Sequence, residues 1–520
     1  MLHVLPVEIS LAVLSYLPLP TLCRLSSLSR KWFDFFSENQ SAIFHNAAIF
    51  HGHTHPETLL LEDALSVHKG SPWKGATDWK DFCRRSLQLH KNWEGNGRVV
   101  ARLLKPPGCD VHRLKVDEKA EILITTHVFG GLSVTHLFSG VLLWSLPRYY
   151  VRSYAHCGYE NGYLVFDRFD GEKEVWRLAS DFAVGEPGPE PEPEVAPYAP
   201  PDEKQRRAYA FFATAIHQRY GHRGHFRPWA KLSFPSFTRA YRFVYPTLLC
   251  AGTDRAFLHD VRTGALVQSI DIGLEDVCYV DVDERYVFVC EPDVLHVFSR
   301  GEGGAEVLRI PRGVLFSKVV GPSTPIDRLG DPFVSVLTLY PGIDEYPPVF
   351  IAAHVSRDGH DLVILTTRNH VFLIRDFERI SRGETSLETA GPVLHLSRQA
   401  KCFYLAFEHG RVCVATSLGL FIFPADMCQD DSTDLTRVVF VQPFAGPAPR
   451  HSPDISCMQL TDRRVYFTWD DERRRDVPLY KDEENELGLS SPTTPSMSRV
   501  DPEFEGVSVG CIDFSLLPES

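Results

Sequence analysis

No two of the twelve cysteines in this 520-residue chain stand at C-x-x-C spacing. Structural zinc sites and thiol redox motifs favour that close spacing, so neither is expected. Scattered cysteines in a chain this long suit reduced thiols, buried as small hydrophobes in an intracellular protein of the cytoplasm or nucleus. A basic excess is also missing. Lys and Arg number 54 against 67 Asp and Glu, a formal net charge of -13. A nucleic-acid partner needs a basic surface, so none is expected. No apolar run reaches the roughly 18 residues that a membrane span requires. The opening MLHVLPVEISLAVLSYLPLP has no Lys or Arg at its start, and Pro6, Glu8, Pro18 and Pro20 interrupt it. It therefore lacks the charged start and unbroken apolar run of a secretory signal.

Motifs of catalysis are sparse. There is no G-x-x-x-x-G-K-[ST] phosphate loop and no H-E-x-x-H zinc helix, and a nucleophile elbow is not expected. Gly95 and Gly97 follow a predicted helix rather than a strand, which does not suit a dinucleotide site. Asp281 and Asp283 stand in a strand-turn context. No catalytic residue, metal or cofactor is expected.

What is present begins with helices. Pro6 suits a helix start and Glu8 its positive end. Ile9, Val13, Leu14 and Leu17 recur at helical spacing. Leu19-Pro20 restarts the chain, and Leu22, Leu25 and Leu28 follow three apart. Ser29 can cap a third helix carrying Trp32, Phe33, Phe35 and Phe36, and a fourth is predicted over 41–50. About fifty residues cannot bury this much apolar surface alone, and an exposed excess marks a partner site. His51, His53 and His55 alternate as zinc ligands on a strand could. No strand pattern surrounds them and Pro56 follows, so they are read as a polar loop.

The stretch LPVEISLAVLSYLPLPTLCRLSSLSRKWFDFF resembles an F-box, through Leu5-Pro6, Glu8-Ile9, Leu14, Tyr16-Leu17, Leu22, Leu25 and the SLSRKW ending. The likeness covers residues 1–50. It implies that the helices bind the Skp adaptor of an SCF-type ubiquitin ligase and, through it, cullin. Leu5, Pro6, Glu8, Ile9, Leu14, Leu17, Leu22, Leu25, Leu28 and Trp32 would supply the adaptor-facing or supporting surface. Residues 51–97 form a helical linker. In it Asp78 can cap a helix bearing Trp79, Phe82, Cys83, Leu87 and Leu89, which Gly95 and Gly97 stop. Trp79-Lys80 and Asn92-Trp93-Glu94-Gly95 resemble the linker of F-box proteins that carry a WD-repeat propeller.

From 98 to 475 short strand patterns alternate with Gly, Asp and Asn turns. Seven segments read strand, turn, strand: 122–146, 162–178, 248–270, 286–300, 358–377, 410–426 and 455–471. Alternation and β-branched or aromatic residues support strands. Recurrence near 40 residues suggests a propeller of four-stranded blades. His259-Asp260 stands where a WD repeat would carry Trp-Asp. Most units lack the family marks, so the propeller resembles a degenerate WD type, with seven blades expected. Gaps near 176–259 and 298–375 could hold an extra blade or a long loop. The Pro/Glu-rich 185–207 is expected to be a disordered insertion. The acidic, Ser/Thr/Pro-rich 476–505 is expected to be flexible, with Ser491 and Thr494, each before Pro, as candidate phosphate acceptors. Residues 506–520 could add a strand that closes the ring.

The expected fold is mainly β: a small helical domain, then a propeller. The expected function is substrate recognition in a ubiquitin ligase, with an unknown protein held by the propeller and no chemistry in the chain itself. Two alternatives stay open. One is an adaptor-binding scaffold without ubiquitin output. The other is a propeller hydrolase or quinone-dependent oxidoreductase.

Overall fold

The structure is a computed structural model. It describes residues 5–67, 72–104, 106, 110–182, 199–210, 223–301, 303–311, 317–319, 324–325, 333–339, 349–396, 401–429, 432–442, 455–469 and 507–517. The chain divides into two compact units, Met1–Ala101 with Ile512–Ser520, and Arg102–Cys511.

The first unit is helical: α1 (Val7–Ser15), α2 (Leu19–Ser26), α3 (Arg30–Glu38), α4 (Gln40–Phe50), α5 (Leu61–Val67) and α6 (Trp79–Trp93). Prolines at 6 and 18 stand just before α1 and α2, where a missing N–H costs nothing. The Ser29 hydroxyl accepts from the Trp32 N–H at 3.3 Å and starts α3. α4 packs against α1 and α6. Leu14, Leu22, Phe36, Ile43, Phe44 and Phe82 are buried. The Asp78 carboxylate accepts from the Asp81 N–H at 2.8 Å and opens α6.

The end of α6 is built by the residues NWEGNG. Gly95 takes φ +75°, the left-handed conformation that glycine adopts without strain. Its N–H donates to the Asn92 carbonyl, and that of Asn96 to Lys91. These two bonds satisfy carbonyls the helix would leave open. A Cβ on Gly97 would lie 1.8 Å from Asn92 Oδ1, so only glycine fits there. Asn92, wholly buried, donates its side-chain amide to the carbonyls of Phe514 (2.5 Å) and Leu516 (2.8 Å). The Trp93 and Phe514 rings stack, with centroids 3.8 Å apart and 12° between planes. Phe514 and Leu516 thus pack as part of the helical unit.

The second unit is a ring of seven sheets, each with strands A to D from the channel outward. The A strands are Val111–Asp117, Cys157–Glu160, Ala240–Val244, Tyr279–Val282, Phe350–Val355, Cys402–Glu408 and Met458–Leu460. Each contacts the next, and the last contacts the first. The B and C strands have both faces covered by neighbouring sheets, so Ile122–His127, Leu362–Thr366 and His370–Ile374 are buried at every position. A bulge between strands C and D recurs in the first four blades, at Val134/Thr135, Val175/Trp176, Leu258/His259 and Val297/Phe298. Bulges add local twist. The mainly β fold with N-terminal helices and seven blades matches the expectation.

Among the described residues the two long gaps hold no extra blade. The first connects strands C and D of the second blade. The second contains Phe333–Leu339, which pairs outside the fifth blade's D strand Val393–Leu396 and widens that sheet. The Pro/Glu-rich 185–207 requires a correction. Residues 185–198 lie outside the described residues, but 199–207 are ordered and 203–210 are helical. Asp202 and Gln205 exchange reciprocal side-chain bonds with each other's N–H, at 2.9 and 3.1 Å, which starts that helix. Buried Gln205 also donates to the Ala230 carbonyl, and Asp202 pairs with Arg168 at 2.8 Å. The composition of 185–207 is polar, but its last residues have specific partners. Residues 476–505, with Ser491 and Thr494, lie outside the described residues.

Closure of the ring is polar as well as apolar. The seventh sheet runs Met458–Leu460, Arg464–Trp469, Ser508–Asp513 and, outermost, Val100–Leu104. Between the first and last blades, the buried Glu118 carboxylate pairs with Arg463 and, at 3.0 Å, with Arg464. It also accepts from Thr461 Oγ1 (2.9 Å) and Tyr466 Oη (3.0 Å). Gln459 bonds both the N–H and the carbonyl of Val116. A second network crosses the channel. Asp281 of the fourth blade meets Arg242 of the third at 3.1 Å and His354 Nδ1 of the fifth at 2.8 Å. His354 Nε2 meets Tyr279 Oη at 2.9 Å, and Arg242 Nη2 meets Glu408 of the sixth at 3.4 Å. Burial alone would push the Asp281 carboxyl up, but Arg242 and then His354 outweigh it and hold it below the ordinary carboxylate range.

Two outcomes follow from these networks. Glu118→Ala removes the buried carboxylate that Arg463 and Arg464 share, and should lower the stability of the propeller by about 3 kcal/mol in urea denaturation. A depressed carboxyl pKa adds stability that is present above the unfolded-state value and lost as pH falls through the folded-state one. The wild type should therefore lose stability as pH drops below about 4. Asp281→Asn should be less stable at pH 7 and show a shallower acid limb across a series of urea melts.

Candidate functional site

The helical unit divides the expected adaptor residues into two sets. Leu14 and Leu22 are fully buried, so they support the fold from inside. Leu17, Leu25 and Trp32 are half-buried. Leu5, Pro6, Glu8, Ile9 and Leu28 are exposed. Large apolar side chains outside that set are exposed too, among them Val7, Val13, Tyr16 and Phe33. Ile9 is 51% exposed and Leu28 66%. α1 is apolar on nearly all sides, and α4 covers only one of them. Its outer side therefore stays bare. Phe50, also exposed, meets the Tyr16 ring edge-on at 5.9 Å. Exposed apolar surface of this density on so small a domain marks a protein-docking face.

The linker residues are structural. Trp79, Asn92 and Trp93 are buried, and Lys80 is exposed with its ammonium 5.8 Å from the Phe44 ring centroid. Sequence reading missed Phe514, whose partner lies hundreds of residues earlier. His51 ends α4 and its ring lies 5.8 Å from that of His53. Among the described residues no three His, Cys, Asp or Glu side chains group as a metal site would need. Gly506-Val507-Ser508-Val509-Gly510 carries the G-x-S-x-G spacing of a nucleophile elbow, against expectation. Ser508 opens the strand Ser508–Asp513, and no helix follows it among the described residues. It therefore lacks the strand-turn-helix setting that aims a serine nucleophile. Asp281 belongs to the channel network, and Asp283 accepts from the N–H groups of Arg285 and Tyr286. Buried His259 is the penultimate residue of its blade's C strand, and Asp260, which ends it, pairs with Arg262 at 2.7 Å.

The propeller channel contains two cavities that share Lys115, Arg242 and Phe243. One, of about 480 Å³, lies where the A strands begin. The other, of about 540 Å³, lies where they end. Their charges differ. The first is lined by Arg113, Lys115, Arg239 and Arg242, and by no carboxylate among the described residues. The second is rimmed by Asp117, Glu118, Glu160, Asp283, Glu284 and Asp462 among others. His112, beside Arg113, and His156, in the basic cavity wall, are both pushed down to about 3, by burial first and by Arg113 second.

Antiparallel order places the B–C turns and the D–A connections on one face of the ring, at the basic mouth. That face also carries exposed rings. Phe129 and Phe169 stand in B–C turns, Tyr149, Tyr154 and Phe237 in D–A connections. The loops that hold them are bonded together: the Phe169 N–H donates to the Tyr150 carbonyl, and Tyr154 N–H to Val128. On the opposite face, among the described residues, Phe138 is the exposed aromatic side chain in a turn.

Residues 2–42 match the family model of F-box-like domains. No curated protein matches the chain. Among solved structures, the computationally designed Ika8 protein aligns with 70% of this chain and 95% of its own, at 14% identity and a TM-score of 0.38. Raptor of Chaetomium thermophilum aligns with 87% of this chain and 37% of its own, at 10% identity and 0.43. At these scores neither carries an argument. The family match and the ring of sheets together identify the chain as an F-box-like domain joined to a seven-bladed β-propeller.

Proposed function

We propose that this chain is the substrate-recognition subunit of an SCF-type ubiquitin ligase. The F-box-like helices bind the Skp adaptor, and through it cullin, while the propeller holds a target protein. The observation that carries this reading is the bare apolar face of the helical unit, which coincides with the F-box-like match. A receptor of this kind needs no chemistry of its own. Holding a target lysine beside a charged transfer enzyme raises its effective concentration, which accelerates transfer by proximity. The exposed rings on the B–C and D–A loops support protein recognition on that face, because rigidly held aromatic side chains bury large area at low entropic cost.

The adaptor contact is tested with the full chain in a binding assay against purified Skp adaptor. Ile9→Ala should weaken binding by about 2 kcal/mol, roughly thirty-fold, with an unchanged melting curve. Leu14→Ala should act differently, lowering the stability of the helical unit by about 2–5 kcal/mol. A wild-type chain that does not bind the adaptor would sink the reading. Adaptor binding without cullin in the purified complex would instead leave a scaffold without ubiquitin output.

A further inference from the structure

The basic mouth of the channel has chemistry that adaptor binding and protein docking do not use. Its lining brings four cationic side chains to one cavity, and they are not equivalent. Arg239 pairs with Asp276, and Arg242 with Asp281 and Glu408. Arg113 and Lys115 have no carboxylate partner among the described residues. Arg113 is nevertheless held in place. Its Nη1 donates to the carbonyls of Ser456 (2.6 Å) and His112 (3.1 Å), and its Nη2 lies 3.2 Å from His156 Nε2. Its Nε–H and a second Nη2–H have no protein acceptor among the described residues. Two uncompensated charges in a half-enclosed cavity produce a potential that low-dielectric walls focus. The two histidines, both driven to about 3, register the same field and burial. The walls are rings: Tyr241, Tyr279, Phe403 and Tyr404. Beyond Arg242 the channel turns acidic, so an anion is drawn in at this mouth and repelled from the other.

We propose that the basic mouth of the propeller channel binds a small, multiply charged organic anion, with its phosphate or carboxylate groups on Arg113 and Lys115 and its body against the tyrosine and phenylalanine walls. A cavity of about 480 Å³ accommodates a molecule of metabolite size. The fork of Arg113 suits a planar or tetrahedral oxyanion, and Lys115 adds a mobile point charge. The site does not depend on the ubiquitin-ligase reading.

The test is isothermal titration calorimetry of the full chain, at constant ionic strength, with inorganic pyrophosphate in one arm and citrate in the other. Saturable one-to-one binding of either supports the site, and the tighter arm tells phosphate from carboxylate. Lys115→Gln removes a charge that makes no hydrogen bond among the described residues, so the ring should fold and melt as before. It should weaken binding by about tenfold or more, and Lys115→Glu should abolish it. Arg113→Gln is a second variant, read only if its melting curve matches wild type. Absence of heat in both arms overturns the proposal. So does binding that Lys115→Gln and Lys115→Glu leave unchanged, because the anion then sits elsewhere.

Discussion

No sheet of the ring can bury its own faces, and everything else in the propeller follows from that constraint. A four-stranded sheet with two apolar faces needs a neighbour on each side. The buried side chains accordingly gather between sheets rather than in one central core. One cluster joins Trp144 of the first blade with Trp176 of the second. Another joins Phe288 of the fourth with Phe372 of the fifth, and another joins Leu114 of the first with Tyr466 of the seventh. The ring must close for the first and last sheets to be covered, and Glu118 and Gln459 stand at that seam. The channel is what such packing leaves over. Its walls are A strands, which carry polar side chains such as Arg113, Arg242 and Asp281 because only their outer neighbours are dry.

The polar channel and the apolar seams are physically coupled. Tyr279 and Asp281 belong to a strand whose other positions, Val280 and Val282, pack into the seam with the third blade. Alternation along one short strand thus delivers packing to one side and charge to the other. The network around Asp281 keeps its charges paired at mid-depth. The excess of positive charge is left at one mouth and that of negative charge at the other.

Much of the fold was legible in the sequence, and for a specific reason. In six blades the strand-turn-strand segments, of which 122–146 and 248–270 run on into D, contain the B and C strands. These are covered on both faces and therefore read as dense apolar runs, as in 248–270 or 410–426. In the seventh blade, 455–471 is the A and B pair instead, because its C strand, Ser508–Asp513, comes after a long stretch of other sequence. Outer strands such as Glu306–Pro311, with one buried position, carry little signal and lie outside the segments. The helical unit was legible as an apolar excess, but its sides were not. On a nine-residue helix as uniformly apolar as α1, periodicity cannot separate buried Leu14 from exposed Ile9. The basic cavity was not legible at all. Arg113 and Ser456 are 343 residues apart in the chain, and only the closed ring brings them together.

The stacking of Trp93 on Phe514 has a consequence for the order of events during synthesis. Asn92 and the carbonyl it binds are 422 positions apart. Helix α6 therefore waits for residues 514–516 before its packing is complete. Domains usually fold in the order in which they leave the ribosome. Here the N-terminal unit is finished only after the whole ring has emerged, so a nascent chain that stalls within the propeller carries an incomplete docking unit. Competence to dock is thereby tied to the emergence of residues 514–516.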